Sequence, residues 1–255
     1  MSKVITILGG NGFIGRRCIS AVLNQSDTAI VNVISRSGVI NSNYQHKFDQ
    51  DRVKFIKGDC LSPESFSDII DKSTGIIHSI GALLTLKADN DPTSYNMLNK
   101  ESCLRVAKLA SLLYEKKEMK GNKVKFVYIS SEAGLPFPLS LLFGGYIKTK
   151  REAESDLIAM KNINSIILRP GFVVDAKDRA LSVPLKYPVD ALNMFDKMIV
   201  KKVLPGLSDK LLLPAKSIQL EIVSNYAAAG SLGKLEFRIY PNEEMIDNYK
   251  NLNRY

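Results

Sequence analysis

The chain has 255 residues, 45% of them hydrophobic and 24% charged, which suits one large α/β domain with a substantial core. No run reaches the roughly 18 continuous apolar residues that a membrane-spanning helix needs. The net charge is +9, but no basic run is longer than the pairs Lys116-Lys117 and Lys201-Lys202. Nucleic-acid binding would require a clustered basic face with aromatic residues, so the scattered charge instead indicates a basic solvated surface.

The cysteine and histidine content disfavours disulfides and metal sites. Cys18, Cys60 and Cys103 lie far apart without a CxxC pair, and the chain has only two histidines. A reducing compartment fits this usage best. The sequence runs from Met1 directly into an apolar segment without a secretory signal or an Arg/Ser-rich presequence, which by itself predicts a cytosolic protein.

Short apolar runs alternate with amphipathic segments through the first two thirds of the chain. Six runs rich in Val, Ile or Phe are predicted to be buried parallel strands, at 4–8, 29–34, 53–56, 75–78, 124–129 and 165–168. Helix-like patterns lie between them, at 13–23, 63–70, 93–114 and 145–160. This alternation predicts an α/β fold with a doubly wound parallel sheet and helices on both faces.

The pattern changes after Arg169. Prolines divide the following segment into short pieces, at Pro170, Pro184, Pro188, Pro205 and Pro214. A strand-like run at 235–240 precedes a terminal helix. We therefore predict a main domain over 1–169 and a smaller irregular region over 170–255, packed together as a single structural unit. The second region is expected to cover the carboxyl edge of the sheet, where open α/β sheets bind their ligands.

A glycine-rich loop joins the first predicted strand to the first predicted helix. It consists of Gly9, Gly10, Asn11, Gly12, Phe13, Ile14 and Gly15, and it satisfies the GxGxxG pattern. Glycine is needed at the tight turn, where the backbone meets a pyrophosphate, and where the helix packs on the strand. The helix N-terminus offers N–H groups to the phosphates. This placement predicts a Rossmann NAD(P)-binding domain over 1–169. The alternative is a glycine-rich turn without a ligand.

The end of the second predicted strand indicates which dinucleotide is preferred. NAD sites normally carry Asp or Glu there to hold the ribose 2′-hydroxyl, whereas this chain has Ser35, Arg36 and Ser37. Arg36 is predicted to bind a 2′-phosphate, which favours NADP(H) over NAD(H). The alternative is that Arg36 stacks on the adenine or faces solvent. At the end of the third predicted strand, Asp59 is predicted to hold the adenine amino group. At the end of the fourth, the residues predicted to lie beside the cofactor ribose are His78 (as a wall residue), Ser79, Ile80 and Gly81.

A serine, a tyrosine and a lysine form the predicted catalytic set. Tyr146 and Lys150, four residues apart, share one face of a helix. The Lys150 ammonium is expected to stabilise the phenolate and to lower a tyrosine pKa that starts near 10. Tyr146 would then exchange a proton with a substrate carbonyl or hydroxyl during hydride transfer. Either Ser130 or Ser131 would hydrogen-bond the same oxygen, and Ser131 is favoured because it lies nearer the strand end.

With these motifs the chain resembles extended and atypical short-chain dehydrogenases/reductases over residues 3–228. The glycine loop, the Asp59 position, His78-Ser79, Ser131, Tyr146 with Lys150, and Arg169-Pro170-Gly171 follow the order of that family. The resemblance adds Asn99 to the catalytic residues and Pro170 to the cofactor-binding ones. Ser102 and Cys103 depart from the Gly-Thr that usually follows the family asparagine.

Residues 145–154 and 36–38 narrow the resemblance to atypical members related to the 39 kDa accessory subunit of respiratory complex I, and to fungal mitochondrial members associated with coenzyme Q biosynthesis. This resemblance implies a mitochondrial matrix protein at the inner membrane, in or beside a ubiquinone-synthesis complex, in place of the cytosolic location predicted above. It also implies a hydrophobic or polyprenylated substrate. The apolar segment 135–143 would receive its tail or make peripheral membrane contact, or else pack as a buried loop.

Two functions remain open from the sequence. One is an NAD(P)H-dependent oxidoreductase of mitochondrial coenzyme Q metabolism. The other is a catalytically idle, nucleotide-bound assembly or regulatory subunit of a ubiquinone-synthesis or respiratory complex, since the complex I relatives are structural proteins that hold NADPH. A fold of this kind does not decide between them.

Overall fold

The computed structural model describes residues 3–40, 48–82, 85–116, 123–132, 145–176, 182–195 and 215–252. Seven strands form a central sheet: β1 (Val4–Leu8), β2 (Ile30–Ser35), β3 (Val53–Lys57), β4 (Gly75–His78), β5 (Val124–Ile129), β6 (Ile163–Arg169) and β9 (Ile239–Pro241). All are parallel, in the order β3-β2-β1-β4-β5-β6-β9. A small parallel pair joins β7 (Val173–Val174) to β8 (Ile218–Gln219).

Helices connect the strands: α1 (Phe13–Gln25), α2 (Ser67–Lys72), α3 (Ser102–Lys116), α4 (Gly145–Ala159), α5 (Ser182–Phe195), α6 (Leu220–Ser231), α7 (Asn242–Asp247) and α8 (Tyr249–Leu252). A 3₁₀ turn at Pro63–Phe66 leads into α2, and a π-helical turn at Asn96–Glu101 leads into α3. The doubly wound parallel sheet predicted from the sequence is confirmed. The last strand begins later than the strand-like run at 235–240 suggested.

The central strands are apolar throughout because both faces of the sheet are covered. Successive side chains point to opposite faces, so Ile7 and Leu8 of β1 enter two different core clusters, as do Ile76 and Ile77 of β4. One cluster lies under α1 and α6, and the other lies under α2, α3 and α4. A continuous apolar run therefore marks a central strand of this sheet.

The C-terminal region contributes to the same core. Helix α6 packs on α1 and against β4 and β5, and a Cβ added at Gly230 would approach Val127 Cγ2 to 3.0 Å. Strand β9 pairs with β6 at the edge of the sheet. The division at residue 169 stays a prediction. None of the helices within the described ranges is long and apolar enough to cross a membrane.

Candidate active site

The turn between β1 and α1 has a backbone path that requires glycine. Gly9 adopts a φ of +79°, and its carbonyl accepts a hydrogen bond from the Gly12 N–H at 2.9 Å. A Cβ on Gly10 would lie 2.2 Å from Val33 Cγ1, and a Cβ on Gly15 would lie 2.3 Å from the Gly9 carbonyl oxygen. The loop is thus packed tightly against β1, β2 and its own backbone.

This loop fits a pyrophosphate. Helix α1 begins after Gly12 without a side-chain cap and without an acidic residue in its first turn, so its N-terminal dipole is not neutralised by the protein. The N-terminus opens on a cleft of about 410 Å³ at the carboxyl edge of the sheet. The cleft is lined by Gly9, Asn11, Gly12, Ile34, Ser35, Arg36, Ser37, Gly58, Asp59, Cys60, Leu61, Ser79, Ile80, Gly81, Pro92, Leu98 and Ser102.

Most of the predicted cofactor-binding residues line this cleft. Those that do not are Gly10, Phe13, Ile14, Gly15, His78 and Pro170. Gly10 and Gly15 instead pack the loop, and the Pro170 carbonyl accepts a hydrogen bond from the Glu132 N–H at 2.8 Å. Ser79, just after strand β4, holds the glycine loop in place, because its hydroxyl donates a hydrogen bond to the Leu8 carbonyl at 2.8 Å.

Asn11 ties the glycine loop to the end of β2. Its amide nitrogen donates to Ser35 Oγ at 3.1 Å, to Ser37 Oγ at 2.9 Å and to the Val39 carbonyl. Arg36 lies between the two serines, with its side chain exposed at the cleft. No acidic side chain stands at the end of β2, as the sequence indicated. On the neighbouring strand end, Asp59 accepts a hydrogen bond from the Leu61 N–H at 3.0 Å.

His78 is fully buried behind the residues that line the cleft. Its Nε2 lies 3.0 Å from Ser102 Oγ, and that hydroxyl donates to the Leu98 carbonyl at 2.8 Å. Because the hydroxyl has a single hydrogen, Nε2 must carry the proton of a neutral imidazole. Burial, with the Lys150 charge nearby, lowers the pKa of His78 to about 3. His78 therefore supports Ser102, which lines the cleft.

Ser131 and Tyr146 meet beyond the end of β5. A hydrogen bond with Ser131 lowers the pKa of Tyr146, and so does the charge of Arg151, but burial dominates and raises the pKa above its ordinary value. The Tyr95 ring stands edge-on to the Tyr146 ring, with centroids 5.9 Å apart. The net lowering of the Tyr146 pKa by Lys150 that the sequence suggested is not found: the lowering contacts are those with Ser131 and Arg151, and the loss of hydration outweighs them.

Lys150 is buried beside this pair. Its ammonium donates to the Ile129 carbonyl at 2.8 Å and lies 4.8 Å from the centre of the Tyr128 ring. A Cβ on Gly81, which lines the cleft, would lie 3.2 Å from Lys150 Nζ and 3.0 Å from Asn99 Oδ1. The lysine and the asparagine therefore stand directly behind the wall of the cleft.

Asn99 lies within the π-helical turn and is fully buried. Its Oδ1 accepts a hydrogen bond from the Ala82 N–H at 2.9 Å. Its main-chain carbonyl accepts a hydrogen bond from the Tyr128 hydroxyl at 2.6 Å. The turn thus joins the segment after β4 to β5, and Asn99 and Lys150 both lie behind the cleft wall at Gly81.

The comparison with known families agrees with this geometry. A model of an NAD(P)H-binding family matches residues 9–188, which include the glycine loop, Tyr146 and Lys150. The chain belongs to this NAD(P)H-binding family. MIOREX complex component 2 of Saccharomyces cerevisiae is 31% identical, with 86% of this chain and 90% of the yeast protein aligned.

Two solved structures share the fold of this NAD(P)H-binding protein. The Bordetella bronchiseptica enzyme WbmG in complex with NAD has a TM-score of 0.60 at 14% identity, covering all of this chain and 78% of WbmG. A UDP-glucose 4-epimerase from Brucella ovis in complex with NAD gives 0.60 at 14% identity, covering 98% of this chain and 82% of the epimerase. The predicted short-chain dehydrogenase/reductase-like family is confirmed.

Several residues that line the cleft were not predicted from the sequence. Ile34, Gly58, Cys60 and Leu61 stand at or just after strand ends, a signal that could have included them. Pro92, Leu98 and Ser102 come from the connection into α3 and carry no such signal. Burial raises the pKa of Cys60 to about 12, so this residue is a thiol and not a nucleophile. The predicted apolar segment at 135–143 lies outside the described residues.

Lys150 is expected to make stability depend on pH. Burial lowers its pKa from 10.5 to about 8, so between these values the unfolded chain holds a proton that the folded chain has lost. Stability should therefore rise with pH in this window, by about 3 kcal/mol relative to a Lys150→Met variant. Denaturant unfolding of both proteins from pH 7.5 to 10 measures the difference. Lys148→Met, which removes an exposed lysine of the same helix, should show no such trend.

Proposed function

We propose that this NAD(P)H-binding protein is an NADP(H)-dependent oxidoreductase that acts on a carbonyl or hydroxyl group. The contact between Ser131 and Tyr146, with Lys150 and Asn99 behind the cleft wall at Gly81, carries the proposal. A protein that only holds a nucleotide has no need for a half-buried phenol and a serine hydroxyl in contact at this position. The supporting residues come from three places, the end of β5, helix α4 and the π-helical turn, so their arrangement depends on the tertiary fold.

Each side chain has a distinct role in this proposal. The bound dinucleotide supplies or accepts the hydride. Tyr146 donates a proton to the substrate oxygen during reduction and recovers one during oxidation, while Ser131 hydrogen-bonds the same oxygen and orients it. Lys150 holds a positive charge behind the cleft wall at Gly81 below pH 8. Asn99 fixes the end of β4 through Ala82 and so positions the wall at Gly81.

The preference for NADP(H) rests on the Ser35-Arg36-Ser37 segment. Arg36 offers a guanidinium at the cleft, both serines offer hydroxyls, and Asn11 holds the two serines in place. A phosphate would gain a charge-assisted bidentate contact there. A carboxylate at this position would instead repel the 2′-phosphate and bind the ribose hydroxyls of NAD(H).

Nucleotide titration tests the preference. Calorimetry with NADPH and NADH should show NADPH bound at least about tenfold more tightly, about 1.4 kcal/mol. Arg36→Ala should remove that advantage and leave NADH affinity within about twofold. Lys54→Ala, which removes one exposed positive charge from β3, should leave both affinities unchanged. If neither nucleotide bound the native protein, both the cofactor and the oxidoreductase proposals would fail.

The proposed substrate is hydrophobic and quinone-like or polyprenylated, and the proposed setting is mitochondrial coenzyme Q biosynthesis at the inner membrane. The support is the resemblance of residues 36–38 and 145–154 to proteins of that pathway. A panel of ubiquinone precursors and simple quinones, followed by the oxidation of NADPH, tests the substrate class. Preferential turnover of water-soluble sugars, or of steroids, over the quinone panel would contradict the proposed substrate class.

A second candidate function is an assembly or regulatory subunit that binds the nucleotide without turning it over. The 31% identical yeast protein, named as a component of the MIOREX complex, favours this candidate. It predicts that a Tyr146→Phe variant retains full biological activity in cells while loss of nucleotide binding abolishes it. The oxidoreductase proposal predicts that both changes abolish activity.

A further inference from the structure

A buried carboxylate stands behind the Ser131–Tyr146 pair. Glu154, on α4, has a side chain that is only 3% exposed. Its Oε1 accepts hydrogen bonds from Arg151 Nη1 at 2.5 Å, from Arg169 Nε at 3.1 Å and from the Ser130 hydroxyl. Its Oε2 accepts hydrogen bonds from Arg169 Nε at 3.1 Å and from Arg169 Nη2. Two guanidinium groups and one hydroxyl therefore converge on one carboxylate.

This cluster fixes the chain on both sides of Ser131. The preceding residue, Ser130, is bound to Glu154 through its hydroxyl. The following residue, Glu132, has its carbonyl bound by Arg151 Nη2 at 2.9 Å. The end of β5 is thus attached to α4 by side chains from the helix that also carries Tyr146.

The cluster contributes more to the relative positions of the groups that it joins than to the stability of the fold. Burying charges costs several kcal/mol per ion, and apolar residues of similar volume often stabilise a core as well as a buried ion pair does. Charge-assisted and bidentate hydrogen bonds, by contrast, fix the relative position of the groups they join. Tyr146, Lys150 and Glu154 follow one another at intervals of four residues, so the helix presents all three toward the end of β5.

We propose that Glu154 is a positioning residue, which through Ser130 and the two arginines holds Ser131 against Tyr146. The part of this proposal that concerns turnover rests on the proposed oxidoreductase function. The part that concerns the contact between Ser131 and Tyr146 can be tested without a substrate.

The test replaces the ion pair without changing the net charge. The variant Glu154→Gln/Arg169→Gln keeps similar side-chain shapes. The partly exposed ion pair between Lys100 of the π-helical turn and Glu152 of α4, 2.8 Å apart, offers a matched control, Lys100→Gln/Glu152→Gln. Carbon NMR of protein labelled at the tyrosine ζ carbon follows the ionisation of Tyr146, whose signal is identified by its loss in Tyr146→Phe. Besides Ser131, the titratable and charged groups that interact with Tyr146 include Tyr95, Tyr128 and Arg151.

The test variant should raise the pKa of Tyr146 in the same direction as Ser131→Ala, because both lose the Ser131 hydrogen bond. The kcat with the best quinone substrate should fall about tenfold to a hundredfold, with the Kd for NADPH within about twofold. The control should change neither quantity. If the test variant does not fold, Ser130→Ala should show the same changes on a smaller scale. A Tyr146 titration identical to that of the native protein in the folded variants overturns the proposal. A native protein without turnover would instead contradict only the oxidoreductase function.

Discussion

Replacing Tyr146 with Phe is expected to lower turnover by about 10²–10⁴-fold while the affinity for NADPH stays within about twofold. The hydroxyl is the proton donor in the proposed reaction, and it hydrogen-bonds Ser131. The cleft is lined by other residues, so the nucleotide loses no contact. The remaining ring still packs against Tyr95.

Two measurements check this expectation. NADPH oxidation with the best substrate of the quinone panel gives turnover, and calorimetry gives the nucleotide affinity. Tyr187→Phe is a suitable control, because this tyrosine is 70% exposed on α5 and should tolerate the change. Full turnover in Tyr146→Phe would remove Tyr146 from the chemistry and would favour the assembly-subunit function.

Adding one methyl group at Gly15 is expected to weaken NADPH and NADH alike, by about tenfold to more than a hundredfold. The Cβ of Gly15→Ala would lie 2.3 Å from the Gly9 carbonyl oxygen and 2.8 Å from Gly10 Cα, which are backbone atoms without a rotamer to change. The loop must shift away from the helix N-terminus, and overpacking of this kind costs about 1–3 kcal/mol. The N–H groups that face the phosphates then lose their alignment.

Calorimetry with both nucleotides and thermal unfolding measure the two consequences of that shift. Gly12→Ala provides a graded comparison, since its Cβ would approach only the Gly9 carbonyl oxygen, at 3.1 Å, and should cause a smaller loss. The melting temperature should fall in the same order. Native affinity in Gly15→Ala would mean that the loop does not hold the nucleotide.

The fold was largely predictable because both faces of the sheet are buried. A strand such as β4 (Gly75–His78) has no polar face, and its apolar run is short enough to be distinguished from a helix. Strand β9 was less clear, since it pairs with β6 over only three residues and its position depends on the packing of the C-terminal helices. The π-helical turn could not be foreseen, because no residue type at Asn96–Glu101 requires it.

The site was predictable where the chemistry lies in local spacing. The glycine loop, and Tyr146 with Lys150, are short-range patterns; the loop lines the cleft, and Lys150 lies behind the cleft wall at Gly81. The role of Glu154 was missed although it follows Lys150 at the helical interval of four. Its partners Ser130 and Arg169 lie 24 and 15 residues away along the chain, and only the parallel pairing of β5 with β6 brings them together.

The π-helical turn at Asn96–Glu101 makes this part of the chain unusually sensitive to the deletion of a residue. A π-helical turn holds more residues than an α-helical turn, so losing one codon here would convert the turn to α-helix and shift the residues inside it by one place. Asn99 would leave Ala82, and its carbonyl would leave Tyr128. Among related chains, substitutions along this turn should therefore be far commoner than single-residue deletions. A chain that has lost one residue here should also have lost the asparagine.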